Sequence, residues 1–252
     1  MAGMGQVFSM SGVVETAMVL AAGLGKRMRP LTNDIPKPLV KLAGRALIDL
    51  VLLRLAGAGV TRAIINGHYK ADVLFQHLSG WSRPEILFSD ESDCLLDTGG
   101  GVVRALPLIG DDPFFVHNSD SVWIEENGSN LERMNTAWDP ERMDCLMLLG
   151  EANASLGYSG AGDFAMAGDG LLSRAAQGQS VPFVFAGVSI IHPRLFEGME
   201  EAPFSLNRVW DLAISRGRLF GMRLDGVWMH VGSPSALIEA EQLMSEHTLG
   251  QG

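Results

Sequence analysis

Lys26, Arg27, Lys37 and Asp120 are the side chains whose types and surroundings suit work on a polyphosphate. The first two lie in Ala17-Met18-Val19-Leu20-Ala21-Ala22-Gly23-Leu24-Gly25-Lys26-Arg27-Met28-Arg29-Pro30. Its apolar start, residues 17–21, is short and unbroken and predicts a buried parallel strand. A glycine loop at the carboxyl end of such a strand lets peptide N–H groups approach a phosphate closely. Lys26, Arg27 and Arg29 bring charge to the same place. Lys37 follows inside Ile35-Pro36-Lys37-Pro38-Leu39, where two prolines predict a stiff, extended arm.

Two common phosphate motifs are excluded. A Walker loop would need glycine at Leu20 and Ser or Thr at Arg27. A dinucleotide fingerprint would need a third, helix-opening glycine where Met28 stands, and Pro30 and Pro36 oppose a helix there. The second chemical centre is Phe114-Phe115-Val116-His117-Asn118-Ser119-Asp120. A carboxylate at the tip of a buried parallel strand points into the ligand crevice. Magnesium takes one or two carboxylates plus phosphate oxygens and water, so Asp120 is the expected metal ligand.

These groups need a sheet to hold them. Helical spacing of Leu47, Leu50, Val51 and Leu55 predicts a helix over 46–58, and residues 61–66 predict a second buried strand. Strand, helix and strand with short connections imply parallel pairing. Asn66 then sits on the ligand edge, as does His68, which either touches a base or ribose or is a capping or solvated residue. A helix over 69–78 and a strand over 85–89 follow. Asp97-Thr98-Gly99-Gly100-Gly101 reads as a capped helix start with bare amides. Later elements are a helix over 131–137, strands over 144–151 and 183–191, and an edge hairpin from Gly162-Asp163-Phe164 to Gly168-Asp169-Gly170. A helix over 206–216 and a strand over 219–224 come next. Ser233 and Pro234 open a last helix. The fold class is α/β, a Rossmann-like mostly parallel sheet flanked by helices, with a small mixed lobe. Residues 16–246 are expected to form one domain, in a first half over 16–125 and a second over 126–232. Residues 1–15 lack the features of a signal peptide and are expected to be a flexible extension.

At 252 residues the chain is long enough for a full α/β core, and its 47% hydrophobic content is ordinary. A net charge of −10 argues against a nucleic acid or an anionic membrane as partner. Cys94 and Cys145 make neither a disulfide framework nor a zinc site, and a reduced, cytoplasmic chain is the better reading. No apolar run reaches the length of a membrane span. Monomer and homodimer both stay open.

The segment from Leu20 to Met28, taken with Pro36-Lys37-Pro38-Leu39, closely resembles the sugar-1-phosphate nucleotidyltransferase family, and the resemblance runs from about Thr16 to about Glu246. Such enzymes join a nucleoside triphosphate to a sugar 1-phosphate and release pyrophosphate. The resemblance implies that Ala21, Ala22, Gly23, Gly25, Lys26 and Arg27 hold the triphosphate and that Lys37 contacts phosphate during transfer. It implies that the half over 16–125 holds the nucleotide and the half over 126–232 the acceptor. It carries Gly99 and Gly100 over as nucleotide-binding residues, and it places the sugar near Gly187. Asp163 is a candidate for the sugar hydroxyls, with a solvated hairpin charge as its rival. Arg27, Lys37 and Asp120 are the expected catalytic set.

One position departs from the family pattern. Relatives have Trp-x-Asp-Val/Ile-Gly-Thr in the last motif, and the aspartate is a second magnesium ligand. This chain has Trp228-Met229-His230-Val231-Gly232-Ser233. His230 is open to three roles: ligand of a softer ion such as manganese, cationic contact to substrate phosphate, or packed histidine. It also motivates a rival reading, a nucleotide-sugar sensor that has lost catalysis.

Overall fold

The computed structural model describes residues 12–176 and 178–250, without the side chains of 248–250. In chain order the elements are β1 (Thr16–Leu20), β2 (Lys41–Leu42), β3 (Arg45–Ala46), α1 (Leu47–Gly57), β4 (Arg62–Gly67), α2 (Ala71–Leu78), β5 (Glu85–Asp90), α3 (Asp97–Ile109) and β6 (Phe114–Asn118). The second half continues with β7 (Ser121–Glu125), α4 (Asn130–Ala137), β8 (Cys145–Glu151), β9 (Phe164–Met166), β10 (Leu172–Arg174), β11 (Phe183–Ile191), α5 (Asn207–Ser215), β12 (Leu219–Arg223), β13 (Gly226–His230) and α6 (Pro234–Gly250).

Among the described residues nine strands share one sheet. Its parallel part runs β5–β4–β1–β6, and β1 is central. Ala17, Met18 and Val19 are wholly buried because both faces of β1 are covered. Val19 and Ile65 pack with Val51, Leu55 and Leu74 of α1 and α2 on one side. Met18, Ile64 and Val116 pack with Val102, Ala105 and Val209 of α3 and α5 on the other. Each such aliphatic side chain stabilises the fold by about 1.5–3 kcal/mol when fully buried.

Beyond β6 the sheet is mixed. β11 runs antiparallel to both β6 and β8, and β12 runs parallel to β8. The carboxyl ends of β1, β4, β6, β8 and β12 therefore share one rim. β9 and β10 form the expected hairpin at an edge of the sheet. A separate antiparallel ribbon, β7 with β13, sets Ser121 opposite His230. Neither strand of this ribbon is among the expected elements, and the first residue of β7 directly follows Asp120. Leu156 is stitched onto the ribbon: its amide donates to Trp228 O (2.9 Å) and its carbonyl accepts from the His230 amide (2.9 Å).

Three expectations are corrected. Of the extension over 1–15, residues 1–11 lie outside the described residues, and the remainder is docked. Val14 is buried in the core, its amide donates to Asn135 Oδ1 (3.2 Å), and Glu15 O accepts from the Thr61 and Arg62 amides (2.8 and 3.1 Å). Lys37 does not sit on an extended arm. Pro36 is extended, but Lys37–Leu39 is a 3-10 turn, because prolines at both flanks also suit a helix start. Neither Asp97 nor Thr98 caps α3. The N-cap position is Leu96, with no side-chain cap, and Thr98 Oγ1 accepts from the Leu206 amide (2.9 Å) instead. Ser233 does cap α6, its hydroxyl accepting from the Ala236 amide (3.3 Å).

Candidate active site

A cleft of about 580 Å³ opens at the carboxyl ends of β1, β4 and β6. The loop after β1 forms its floor. Asn66 Oδ1 accepts from the Ala21 amide (2.7 Å), while Asn66 Nδ2 donates to Glu91 Oε1 (2.6 Å). Glu91 is wholly buried, and its other oxygen takes the Leu96 amide (3.1 Å). Asn66 thus ties the end of β1 to the start of α3. It also lines the cleft.

The two glycines of the loop differ. Gly25 has φ +61°, in the left-handed region that suits glycine. A Cβ there would lie 3.2 Å from both Lys37 Cβ and Thr32 Cγ2. Thr32 Oγ1 donates to Gly25 O (2.8 Å), and the buried Met28 anchors the turn after it. At Gly23 an added Cβ would meet nothing within 4 Å, so packing does not require glycine there. The amides of Gly23, Leu24 and Gly25 donate to no acceptor among the described residues. Free amides beside the exposed Lys26 and Arg27 are the arrangement that receives an anion.

Across the cleft Lys37 Nζ donates to Asp120 Oδ2, and the two side chains are 13% and 19% exposed. Burial pushes the Asp120 carboxyl up, but the Lys37 ammonium, His230 and the hydrogen bond from Lys37 outweigh it. The net shift is downward, so Asp120 is ionised at neutral pH. Burial pushes His230 down; Asp120 opposes this, while Lys37 and Arg27 reinforce it. Its imidazole is therefore neutral at pH 7. The ring tilts against Trp228 at 5.8 Å between centroids.

The family implies a divalent ion. No group of three or more His, Cys, Asp or Glu that could hold one occurs among the described residues. Asp120 nevertheless fits magnesium that arrives with a triphosphate, because one carboxylate plus phosphate oxygens and water completes its shell. Neutral His230 beside it would suit manganese better.

Ala21, Ala22, Gly23, Gly25, Lys26, Arg27, Lys37, Asn66, Asp120 and His230 all line this cleft. Four candidates do not. The Gly99 and Gly100 amides both donate to Phe204 O (2.8 and 3.3 Å). A Cβ at Gly99 would sit 2.3 Å from the Phe204 ring, and one at Gly100 would sit 2.1 Å from Ala202 O. These glycines admit the segment before α5, and Leu95, Asp97 and Thr98 line the cleft in their stead. Asp97, at φ +59°, is a non-glycine residue in a sparsely populated backbone state, a signal no sequence pattern carries. Asp163 Oδ2 accepts from the Phe185 amide (2.9 Å), so it ties the hairpin to β11. Gly187, at φ +81°, forms part of a bulge in β11, and a Cβ there would lie 2.4 Å from Ser121 Cβ. His68 Nδ1 meets Glu91 O (2.7 Å) and so ties the end of β4 to the loop after β5. Gly101, missed by the sequence reading, leaves room for Glu91 and Asn66, 2.6 and 2.8 Å from where its Cβ would be. Cys94 and Cys145 are both free. No helix among the described residues is long and apolar enough to cross a membrane.

The comparisons agree with this geometry. A family profile described as Nucleotidyl transferase matches residues 16–153. The chain is 45% identical over 241 residues to N-acetylmuramate alpha-1-phosphate uridylyltransferase of Caulobacter vibrioides, covering 94% of this chain and 100% of that one. It is 34% identical to the protein of the same name from Neisseria meningitidis serogroup B, covering 90% and 97%. The fold matches a crystal structure of UDP-glucose pyrophosphorylase complexed with UDP-glucose at a TM-score of 0.77, 17% identity, and 93% and 99% coverage. The free amides, the cations and Asp120 thus stand in a chain whose relatives are named as nucleotidyl- and uridylyltransferases, and this chain belongs to the sugar-1-phosphate nucleotidyltransferase family.

Proposed function

We propose that this enzyme transfers a uridylyl group from UTP to N-acetylmuramate 1-phosphate and releases pyrophosphate. The observation that carries the choice of substrates is the 45% identity, over 94% of this chain and 100% of the other, to an enzyme named for that reaction. An oxygen of the sugar phosphate attacks the α-phosphorus; that P–O bond forms as the bond to the β-phosphate breaks. The attacking oxygen is already an anion, so no general base is required. What remains is alignment and charge neutralisation. The amides of residues 23–25 with Lys26 and Arg27 receive the triphosphate. Lys37 leaves Asp120 to meet negative charge on the reacting phosphates. A divalent ion held by Asp120 supplies positive charge against the same phosphates.

The test is pyrophosphate release from UTP, GTP, CTP and dTTP, each paired with N-acetylmuramate, N-acetylglucosamine and mannose 1-phosphates, in magnesium and then manganese. UTP with N-acetylmuramate 1-phosphate is expected to be fastest. A different best pair overturns the substrates, and ligand binding without pyrophosphate in every pair overturns catalysis in favour of the sensor.

A further inference from the structure

A second cleft, of about 680 Å³, lies on the acceptor half of the rim. Its walls come from the end of β8 (Glu151), the start of β11 (Phe183) and the end of β12 (Arg223). Arg223 and Glu151 also line a smaller recess of about 160 Å³, whose other wall is Trp228. Trp228 is the ring that leans on His230 of the first cleft. Strands β6, β11, β8 and β12 are consecutive neighbours. At about 4.8 Å per step, β8 stands about 10 Å and β12 about 14 Å across the sheet from β6, which ends two residues before Asp120. That distance is on the scale of a sugar phosphate with a substituent.

Arg223 is the cation lining these two recesses among the described residues, and it is less tightly held than Arg174, Arg194 and Arg218 of the same half. No lysine follows Lys70 in the sequence. Arg194 and Arg218 are bound to Asp144 and to carbonyls at the opposite rim. Arg174 is bound to Asp211 and Asn207. Among the described residues the Arg223 guanidinium has one ion-pair partner, Glu151 at 3.9 Å, with both side chains more than half exposed. Its guanidinium lies over the Phe183 ring, 4.9 Å from the centroid, which orients the plane without consuming an N–H. A fork of unspent donors above an aromatic ring is suited to a carboxylate.

On the proposed reading of the reaction, the acceptor carries one. N-acetylmuramate differs from N-acetylglucosamine by a lactyl ether that ends in a carboxylate, remote from the phosphate. We infer that Arg223 is a specificity-determining residue that binds this carboxylate in exchange for Glu151, so that the enzyme distinguishes the two sugars by charge.

The test is steady-state kinetics with UTP and either N-acetylmuramate or N-acetylglucosamine 1-phosphate, for the wild type, Arg223→Ala, Arg223→Lys and Glu151→Gln. Arg223→Ala is expected to raise KM for the carboxylate-bearing acceptor about 10- to 30-fold, with kcat and the lactyl-free acceptor little changed. Arg223→Lys should restore part of the loss, and Glu151→Gln, by removing the competing carboxylate, should lower the same KM. A wild-type preference that survives Arg223→Ala, or a KM rise equal for both sugars, overturns the inference alone. A wild type with no preference for the lactyl sugar overturns the functional reading, and this inference with it.

Discussion

Asp120 and Asp144 stand at opposite rims of the same sheet, one after the end of β6 and the other before the start of β8. Both are ionised against the pull of burial, by neighbouring cations. Asp144 is 2% exposed, and its Oδ1 accepts from Arg194 Nε and Arg218 Nε, each at 2.7 Å. The same guanidiniums donate to Pro140 O and Met143 O, so the cluster closes on itself. Asp120 has a single lysine, opens on a cleft and faces amides with nothing to bind. Equal chemistry with unequal satisfaction separates a buttress from a reaction centre: groups already matched hold the fold, and groups left unmatched are reserved for a ligand.

That contrast breaks most sharply at the reaction centre. Lys37→Ala and Asp120→Asn are each expected to lower kcat about 10²- to 10³-fold, with melting temperatures close to wild type, as turnover assays and thermal scans will check. Near-normal turnover in either would erase the distinction. Asp120→Asn also frees Lys37, so calorimetry in EDTA should find that variant binding UTP more tightly than wild type.

Asp144→Asn should do the reverse: about 2–3 kcal/mol less stability in urea, with kcat of the folded enzyme retained. The pH dependence carries a sign. A carboxyl with a lowered folded pKa stabilises the fold fully above its unfolded value, about 3.9, and loses that contribution as pH falls through the folded value. The difference between Asp144→Asn and wild type should therefore be constant from pH 5 to 8 and shrink in stronger acid.

Gly25→Ala and Gly23→Ala sharpen the comparison within one loop. The first meets a left-handed backbone and close neighbours and should cost about 1 kcal/mol of stability. The second meets open space, so stability should hold while KM for the triphosphate rises several-fold. The smallest effect is expected at His230. Because burial keeps its pKa below the ordinary 6.5, the enzyme and His230→Asn should share one pH–rate shape between pH 7 and 9.

Local signals in the sequence were enough for much of this architecture. The apolar run before Gly23 and the stretch of β11, Phe183–Ile191, lie where the pattern puts them. The loop after β1, Lys37, Asp120 and His230 do meet in one cleft, although Lys37 reaches it from a 3-10 turn and not an extended arm. What stayed hidden depends on partners far along the chain. Gly99 and Gly100 look like a bare helix start until Phe204, over a hundred residues later, occupies their amides. Asn66 reads as a residue of the ligand edge, but its bonds to Glu91 and Ala21 are not written along the chain. Asp163 looks free until the Phe185 amide is placed beside it.

Leu156 has a kinetic consequence. By bonding to Trp228 and His230 on either side, it couples the acceptor loop to the strand that borders the reacting phosphates, and Ser121, opposite His230, adjoins Asp120 in the chain. A sugar that displaces this loop also drags on the carboxylate at the far side of the cleft. Poor acceptors should therefore be penalised in turnover as well as in affinity.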